Sequence, residues 1–350
     1  MENTSTHRRC ALGVALLFLL GAGSGPAGNL AVAAQHSEVH PSQSQVQSQV
    51  LAPSPARTTA TRTTARWSGS VDTSNKTAVT SEYMARFASG RNVPTGWTGS
   101  NSRCIAGTQA PGARTATLRA LNFARSLSGL GPVSFSTDLN SRSQLSALLM
   151  SANNALSHSP PSSWRCYTAR GAANAGRSNL ALAYPSITSA GLVAQYLEDA
   201  GSSNRAAGHR RWLLNPFATK MGSGSTDTAN AITVIGPTAR SRPNPAFVSW
   251  PTAGWFPNTL EPSGRWSLSL GNRALSLRWA TVRVWRNGRL VGTTKHAVVD
   301  GYAQPTIVWQ LPANKARSGT FKVQVSSIRA SAGSKKYSRT YTVKMFTPAA

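Results

Sequence analysis

The rhythm of apolar and polar positions changes twice along this chain. From Gln35 to about Ser81 there is almost no apolar periodicity, and the run SQSQVQSQVLAPSPARTTATRTTAR is built from Gln, Ser, Thr, Ala and Pro. Such a segment cannot bury enough apolar surface to offset the entropy of ordering it, so residues 35–81 are expected to be a disordered linker or stalk. Tyr83 to Gly99 reads as a short helix and loop leading into the folded part. The period then becomes helical. Arg114 to Leu127 places Leu118, Leu121, Ala124 and Leu127 on one face and stops at Gly129-Leu130-Gly131-Pro132. Asp138 is the expected N-cap of a second helix, with Leu139, Leu145, Leu149 and Ala152 on its apolar stripe. Residues 187–199 predict a third helix, 210–214 a short apolar segment, and Asn230 to Ile235 a buried strand. Together these make a mixed α/β unit over residues 103–237.

After Pro237 the period becomes two. Ser267-Leu268-Ser269-Leu270, Thr281 to Trp285, Ile307 to Leu311, Phe321 to Val325 and Tyr341 to Met345 all alternate. Asn287-Gly288 between two such runs signals a tight hairpin. Short strands separated by turn signals predict a small β-sandwich over residues 238–350.

The first 34 residues have the form of an export signal. His7, Arg8 and Arg9 precede a short apolar stretch from Cys10 to Leu20, and Ala31-Val32-Ala33-Ala34 offers a small-residue cleavage site. The apolar stretch falls short of the ~20 residues a membrane span needs, and no later one approaches that length. The mature protein is therefore expected to be secreted or wall-associated, without a transmembrane segment. Cys10 leaves with the signal. Cys104 and Cys166 remain as an even pair in an oxidising compartment, and a disulfide is expected; the rival reading, a catalytic thiol, has no Cys-His motif beside it.

Charge narrows the function classes. Thirty-seven Lys and Arg face ten Asp and Glu, a formal net charge of +27. This excludes an acidic-surface enzyme and points to a polyanionic partner. No motif for reading DNA or RNA bases accompanies the charge. Anionic envelope polymers such as teichoic acids, lipid headgroups or extracellular DNA are the expected targets, against a merely soluble basic surface with no dedicated partner. Arg210-Arg211 is the basic cluster next to the candidate site.

The same scarcity limits acid–base and metal chemistry to six histidines and ten acids. LNFARSLSGLGPVSFSTDLNSRSQLSALLM (121–150), LSHSPPSSWRCYT (156–168), GRSNLALA (176–183), YLED (196–199) and GHRRWLLNPFATKMGSG (208–224) occur in an order that resembles the CAP superfamily, which is shared by cysteine-rich secretory proteins, antigen 5 and pathogenesis-related protein 1 (the SCP domain). The likeness is to its bacterial secreted branch. The resemblance implies an α+β fold, a CAP-type α-β-α sandwich followed here by the all-β unit. It also implies a concave face carrying two histidines and two acids, which bind a divalent metal, often zinc, in some members.

On this chain those positions are His158, His209 and one of Glu198 or Asp199. Ser178 stands where the first glutamate is expected, and no acid between Asp138 and Glu198 replaces it. Two imidazoles and one carboxylate can hold zinc with a water, more weakly than the full set. The alternatives are that both histidines only hydrogen-bond in a polar cleft, or that Ser178, a histidine and an acid form a hydrolytic triad, although Gly176-Arg177-Ser178-Asn179-Leu180 is not a nucleophile elbow. Asn179 reads as an amide tying its segment to neighbouring backbone, Trp164 and Trp212 as core, and Gly222 and Gly224 as turn residues before a strand. The expected function is non-enzymatic binding at the envelope or outside the cell; the competing one is a metal-assisted, peptidase-like hydrolase using His158, His209 and Glu198 or Asp199.

Overall fold

The fold begins inside the stretch expected to be linker. The computed structural model describes residues 68–271, 274–330 and 334–349, so the export signal and the linker up to residue 67 lie outside the described residues. Helix α1 (Lys76–Arg86) is capped by Asn75, whose side chain accepts from the Ala78 N–H. The linker reading therefore fails over its last residues. Val79, Tyr83 and Phe87 repeat every four positions and are buried. That single stripe is too short to stand out in a Thr- and Ser-rich window. Tyr83 and Phe87 both rest against Phe123, at ring-centroid distances of 5.9 and 6.2 Å.

The α/β unit follows as α2 (Pro111–Leu127), β1 (Ser134–Phe135), α3 (Thr137–Asn153), α4 (Ala169–Ala175), β2 (Ser178–Leu182), α5 (Ser189–Glu198), α6 (Gly208–Leu213), β3 (Lys220–Ser225) and β4 (Ala229–Thr233). The sheet runs β1-β3-β4-β2, antiparallel except for β1 with β3. Helices α3 and α4 cover one face, over a small core of Ala147, Leu149, Met150, Ala175, Leu180, Ala229 and Ala231. Helices α2 and α5 pack together on the other, where Leu121, Leu192, Met221 and Ile232 are buried in the main core. This is the expected α-β-α sandwich.

Two local expectations change. Ser136, not Asp138, caps α3, its side chain accepting from the Leu139 N–H, while Asp138 sits in the first turn bound to Arg142 and Arg170. Gly222 and Gly224 are inside β3 rather than in a turn. A Cβ on Gly224 would lie 2.2 Å from the Gln144 backbone nitrogen, and one on Gly222 2.3 Å from the Leu139 carbonyl carbon. Both glycines let α3 lie directly on the sheet.

The all-β unit contains β5 (Phe247–Trp250), β6 (Gly254–Pro257), β7 (Arg265–Leu270), β8 (Leu275–Ser276), β9 (Thr281–Arg286), β10 (Arg289–Val291), β11 (Thr294–Lys295), β12 (Thr306–Gln310), a short α7 (Ala313–Ala316), β13 (Gly319–Ala330) and β14 (Lys336–Phe346). One sheet is β10-β9-β13-β14-β6, with β8 on β13; the other is β11-β12-β7-β5. Their inner faces meet where Trp266 touches Phe321 edge-on at 5.0 Å. Asn287 and Gly288 adopt φ values of 48° and 82° and close the β9–β10 hairpin, the backbone such a turn demands.

One continuous core runs from Leu121 and Phe123 through Trp250 and Phe256 to Val323, so the two units are fused rather than strung together. Cys104 and Cys166 form a disulfide between the loops before α2 and α4. No helix among the described residues is long and apolar enough to cross a membrane.

Candidate functional site

The cleft is assembled where the end of α5, the start of α6 and the start of β2 meet. Helix α5 ends at Asp199, whose left-handed backbone (φ 53°) turns the chain and brings its carboxylate back towards α6. One oxygen lies 2.7 Å from His209 Nδ1, and the other accepts the Arg210 backbone N–H at 3.2 Å. The Asp199 side chain is fully buried in doing so. Tyr196, one turn earlier on α5, lies beside the His209 ring at 5.3 Å and donates its hydroxyl to Asn230. Asn179 Nδ2 donates to the His209 carbonyl at 3.0 Å, tying β2 to α6. His209 is thus oriented through both its ring and its backbone.

His158, on the loop after α3, places Nδ1 3.0 Å from the Ala175 carbonyl at the end of α4. Both histidines, 51 positions apart in sequence, line one cavity of about 70 Å³ together with Ser178, Asn179, Trp212 and Tyr302. That is well below the ~300 Å³ from which pockets enclose a drug-sized ligand. It admits a small group, not a polymer unit.

The acids behave differently from one another. Asp199 faces His209, whereas Glu198 faces Ser263, Arg210 and Arg265 on the opposite side of the chain, and burial pushes its carboxyl above the usual range. Ser178 is buried in β2: its hydroxyl donates to the Asn174 carbonyl at 2.7 Å and accepts from Asn174 Nδ2 at 3.1 Å. Its single proton is therefore directed to that carbonyl, away from any hydrolytic role.

The zinc set suggested by the family resemblance does not fit this donor arrangement. Among the described residues no three His, Cys, Asp or Glu side chains are grouped so as to hold a metal ion. The physical reason is local. Both Asp199 oxygens are occupied by α6, Glu198 is turned away, and Ser178 replaces a carboxylate with a hydroxyl engaged elsewhere. The proposed ligands His158, His209, Glu198 and Asp199 reduce to two imidazoles facing one cavity.

Arg210 and Arg211 are not a surface cluster at the cleft. Both are buried and point into the β unit. The Arg210 guanidinium donates to Leu197 O (2.5 Å), Glu198 O (2.8 Å), Arg265 O (2.7 Å), Ser267 Oγ (3.1 Å) and Glu261 Oε2 (2.5 Å). Glu261 is fully buried and also accepts from Ser263 Oγ and the Arg265 N–H. Burial pushes its carboxyl up to about 8, with Arg210 opposing the shift and Glu198 adding to it. Arg211 donates to Gln304 O and Val299 O and lies 4.8 Å over the Tyr302 ring, and burial lowers it to about 10.

The helix presenting His209 is therefore anchored in the second unit, which also supplies a wall of the cleft through Tyr302. That ring packs so close to α6 that a Cβ on Gly208 would lie 2.4 Å from it. Glu261 and Tyr302 were not among the site residues expected from the sequence. Glu261 carried a signal, as an isolated acid in a basic β-rich stretch; Tyr302 carried none.

Residues 118–235 match the sequence model of CAP, the cysteine-rich secretory protein family. No curated protein matches the chain. Among solved structures it is similar to PcoC, a methionine-rich copper resistance protein from Escherichia coli, at 16% identity over 28% of this chain and 93% of that one, with a TM-score of 0.21. The selenomethionine form of PcoC gives 15% identity over 28% and 95%, again with a TM-score of 0.21. The matched segment carries both cleft histidines, Ser178 and Asp199, and with its α-β-α layering the α/β unit of this chain is a CAP domain of the cysteine-rich secretory protein family.

Proposed function

We propose that the protein is an exported CAP-domain protein, secreted or associated with the cell wall, that works by binding anionic envelope polymers or lipid headgroups and not by catalysis. The observation that carries this is the use of the Asp199 carboxylate: with both oxygens on α6 and Glu198 turned away, the cavity offers two imidazoles and no carboxylate to complete a metal site. A net charge of +27 supports a polyanionic partner recognised through charge, with no nucleic-acid sequence being read. Such binding gains affinity by releasing counterions, so log affinity should fall linearly with log salt. Teichoic acid, heparin and duplex DNA should compete with one another. All three should weaken strongly between ~50 and ~200 mM salt. Salt-insensitive binding to one polymer, without competition from the others, would contradict the proposal.

A hydrolase reading keeps one specific observation, the 2.7 Å Asp199–His209 pair, because a carboxylate that orients an imidazole is what a general base needs. It lacks an identified nucleophile. Hydrolysis of a peptide or ester substrate, abolished by His209→Ala and by a chelator, would favour it over binding.

A further inference from the structure

We infer that the anionic polymer docks on the outer face of the larger β-sheet, along a diagonal row of cations, and that it is a linear polyol-phosphate chain; this rests on the binding function proposed above and gives it a site. Strand register defines this row. On that face Arg283 of β9 is opposite Gln324 of β13, and Lys322 lies two residues away, opposite Thr342 of β14. Lys344 lies two residues beyond Thr342, opposite Thr320 on one side and Trp255 of β6 on the other. Arg283, Lys322 and Lys344 therefore step diagonally across three adjacent strands, at the ~7–8 Å spacing of diagonal cross-strand neighbours. Lys76 of α1 extends the row, its Nζ 5.4 Å from the Trp255 ring.

Aromatic rings hold these ammonium groups in place. Lys322 Nζ lies 5.4 Å over Trp285 and Lys344 Nζ 5.1 Å over Trp255. A cation held over an indole loses part of its rotamer freedom before any ligand arrives, which lowers the cost of ordering it on binding. Beside the row, a surface groove of about 390 Å³ is bounded by Trp285, Asn287, Thr320, Lys322 and Thr342, groups that suit hydroxyls between phosphates. No Asp or Glu occurs on β6, β9, β13 or β14, so the strands that carry the row add no charge that repels a polyanion.

The occupant follows from the same contacts. A single-stranded nucleic acid would need bare aromatic faces on which to stack its bases. Here Lys322 and Lys344 lie over those rings. A phosphodiester chain without bases uses the ammonium groups and needs no free ring. The flanking Thr320, Thr340, Thr342 and Gln324 are polar, and Leu290 of β10, exposed opposite Trp285, is a single apolar side chain and no wedge for a bilayer.

The test measures binding of poly(glycerol phosphate) to the full chain as a function of salt. It compares wild type with Lys322→Gln/Lys344→Gln and with Arg103→Gln/Arg240→Gln, which removes equal charge from exposed positions off the face. Unchanged melting temperatures establish that both variants are folded. The face pair should bind about tenfold more weakly, with a log–log salt slope shallower by about 1.4, two single-strand-type contacts at about 0.7 each. The control pair should keep the wild-type slope. Equal losses in the two pairs would overturn the site while leaving charge-driven binding intact. Absence of salt-dependent binding by wild type would overturn the underlying function instead. Tighter binding of oligo-dT than of poly(glycerol phosphate), lost in Trp285→Ala, would overturn the occupant in favour of a stacked strand. Displacement of the polymer by anionic vesicles at equal phosphate would overturn it in favour of a lipid surface.

Discussion

Replacing Arg210 with methionine should weaken the joint between the two units that share the cleft. The side chain is 1% exposed and, among the described residues, is the only cationic side chain hydrogen-bonded to the Glu261 carboxylate. Methionine keeps much of the volume but removes every guanidinium donor. It leaves three backbone carbonyls, the Ser267 hydroxyl and a fully buried carboxylate without that partner. Each buried acceptor left without its donor costs about 1–3 kcal/mol, so losing the whole guanidinium is expected to cost about 3–5 kcal/mol. At roughly 2–4 °C per kcal/mol for a domain of this size, the melting temperature should fall by roughly 6–20 °C. A single transition is expected, since the two units share one core. The double variant Arg210→Met/Glu261→Met removes both charges and should recover much of the loss.

The loss should also depend on pH. The Glu261 carboxyl is raised in the fold, to about 8, so the stability it contributes is present below the unfolded value near ~4.3 and is lost as pH rises through the folded value. Removing Arg210 removes what opposes that shift, so the gap between variant and wild type should widen from pH 5 to pH 9. Thermal melts by circular dichroism at three pH values measure both effects. A variant that melts within 2 °C of wild type at all of them would show that Arg210 does not anchor α6.

Four further outcomes follow from the same geometry. Thiol titration of the unreduced, denatured mature protein should find no free cysteine, and Cys104→Ser should lower the melting temperature clearly, because the bond joins residues 62 apart and such a loop is worth about 4 kcal/mol in the chain-entropy account. Gly224→Ala should destabilise the α/β unit by at least about 2 kcal/mol in urea unfolding, since the added Cβ meets the α3 backbone and not a movable side chain. Wild-type protein should melt higher at pH 5 than at pH 8.5 through Glu261, and a flat profile would show that its carboxyl is not raised. Ser178→Glu should add the missing carboxylate beside the two imidazoles and raise zinc affinity in calorimetry; unchanged affinity would mean that position 178 does not serve both rings.

The extent to which the fold could be read from the chain depends on how local each cause is. Leu118, Leu121, Ala124 and Leu127 lie within one helix, and the alternation of Phe321, Val323 and Val325 lies within one strand, so both patterns announce their element. The Asn287-Gly288 turn is equally local. Helix α1 was hidden because Val79, Tyr83 and Phe87 find their partners on Phe123 and Thr259, far along the chain. The glycines of β3 looked like turn residues because their reason, the approach of α3, is tertiary. At the site, His158 and His209 were visible through ordered motifs. The choice between Glu198 and Asp199 rests on one left-handed residue at the end of α5, which neighbouring residues do not dictate. Arg210-Arg211 looked like surface charge, and only the packed β unit shows why two arginines are buried there.

The proposed binding function rests on a cleft whose two imidazoles lack a carboxylate to complete a metal site. Purified mature protein incubated with excess zinc, passed through gel filtration and assayed by elemental analysis tests it most directly. The account predicts far less than one zinc per chain, unchanged by His158→Ala or His209→Ala. One tightly held zinc per chain, lost in either histidine variant and accompanied by chelator-sensitive hydrolysis, would contradict it.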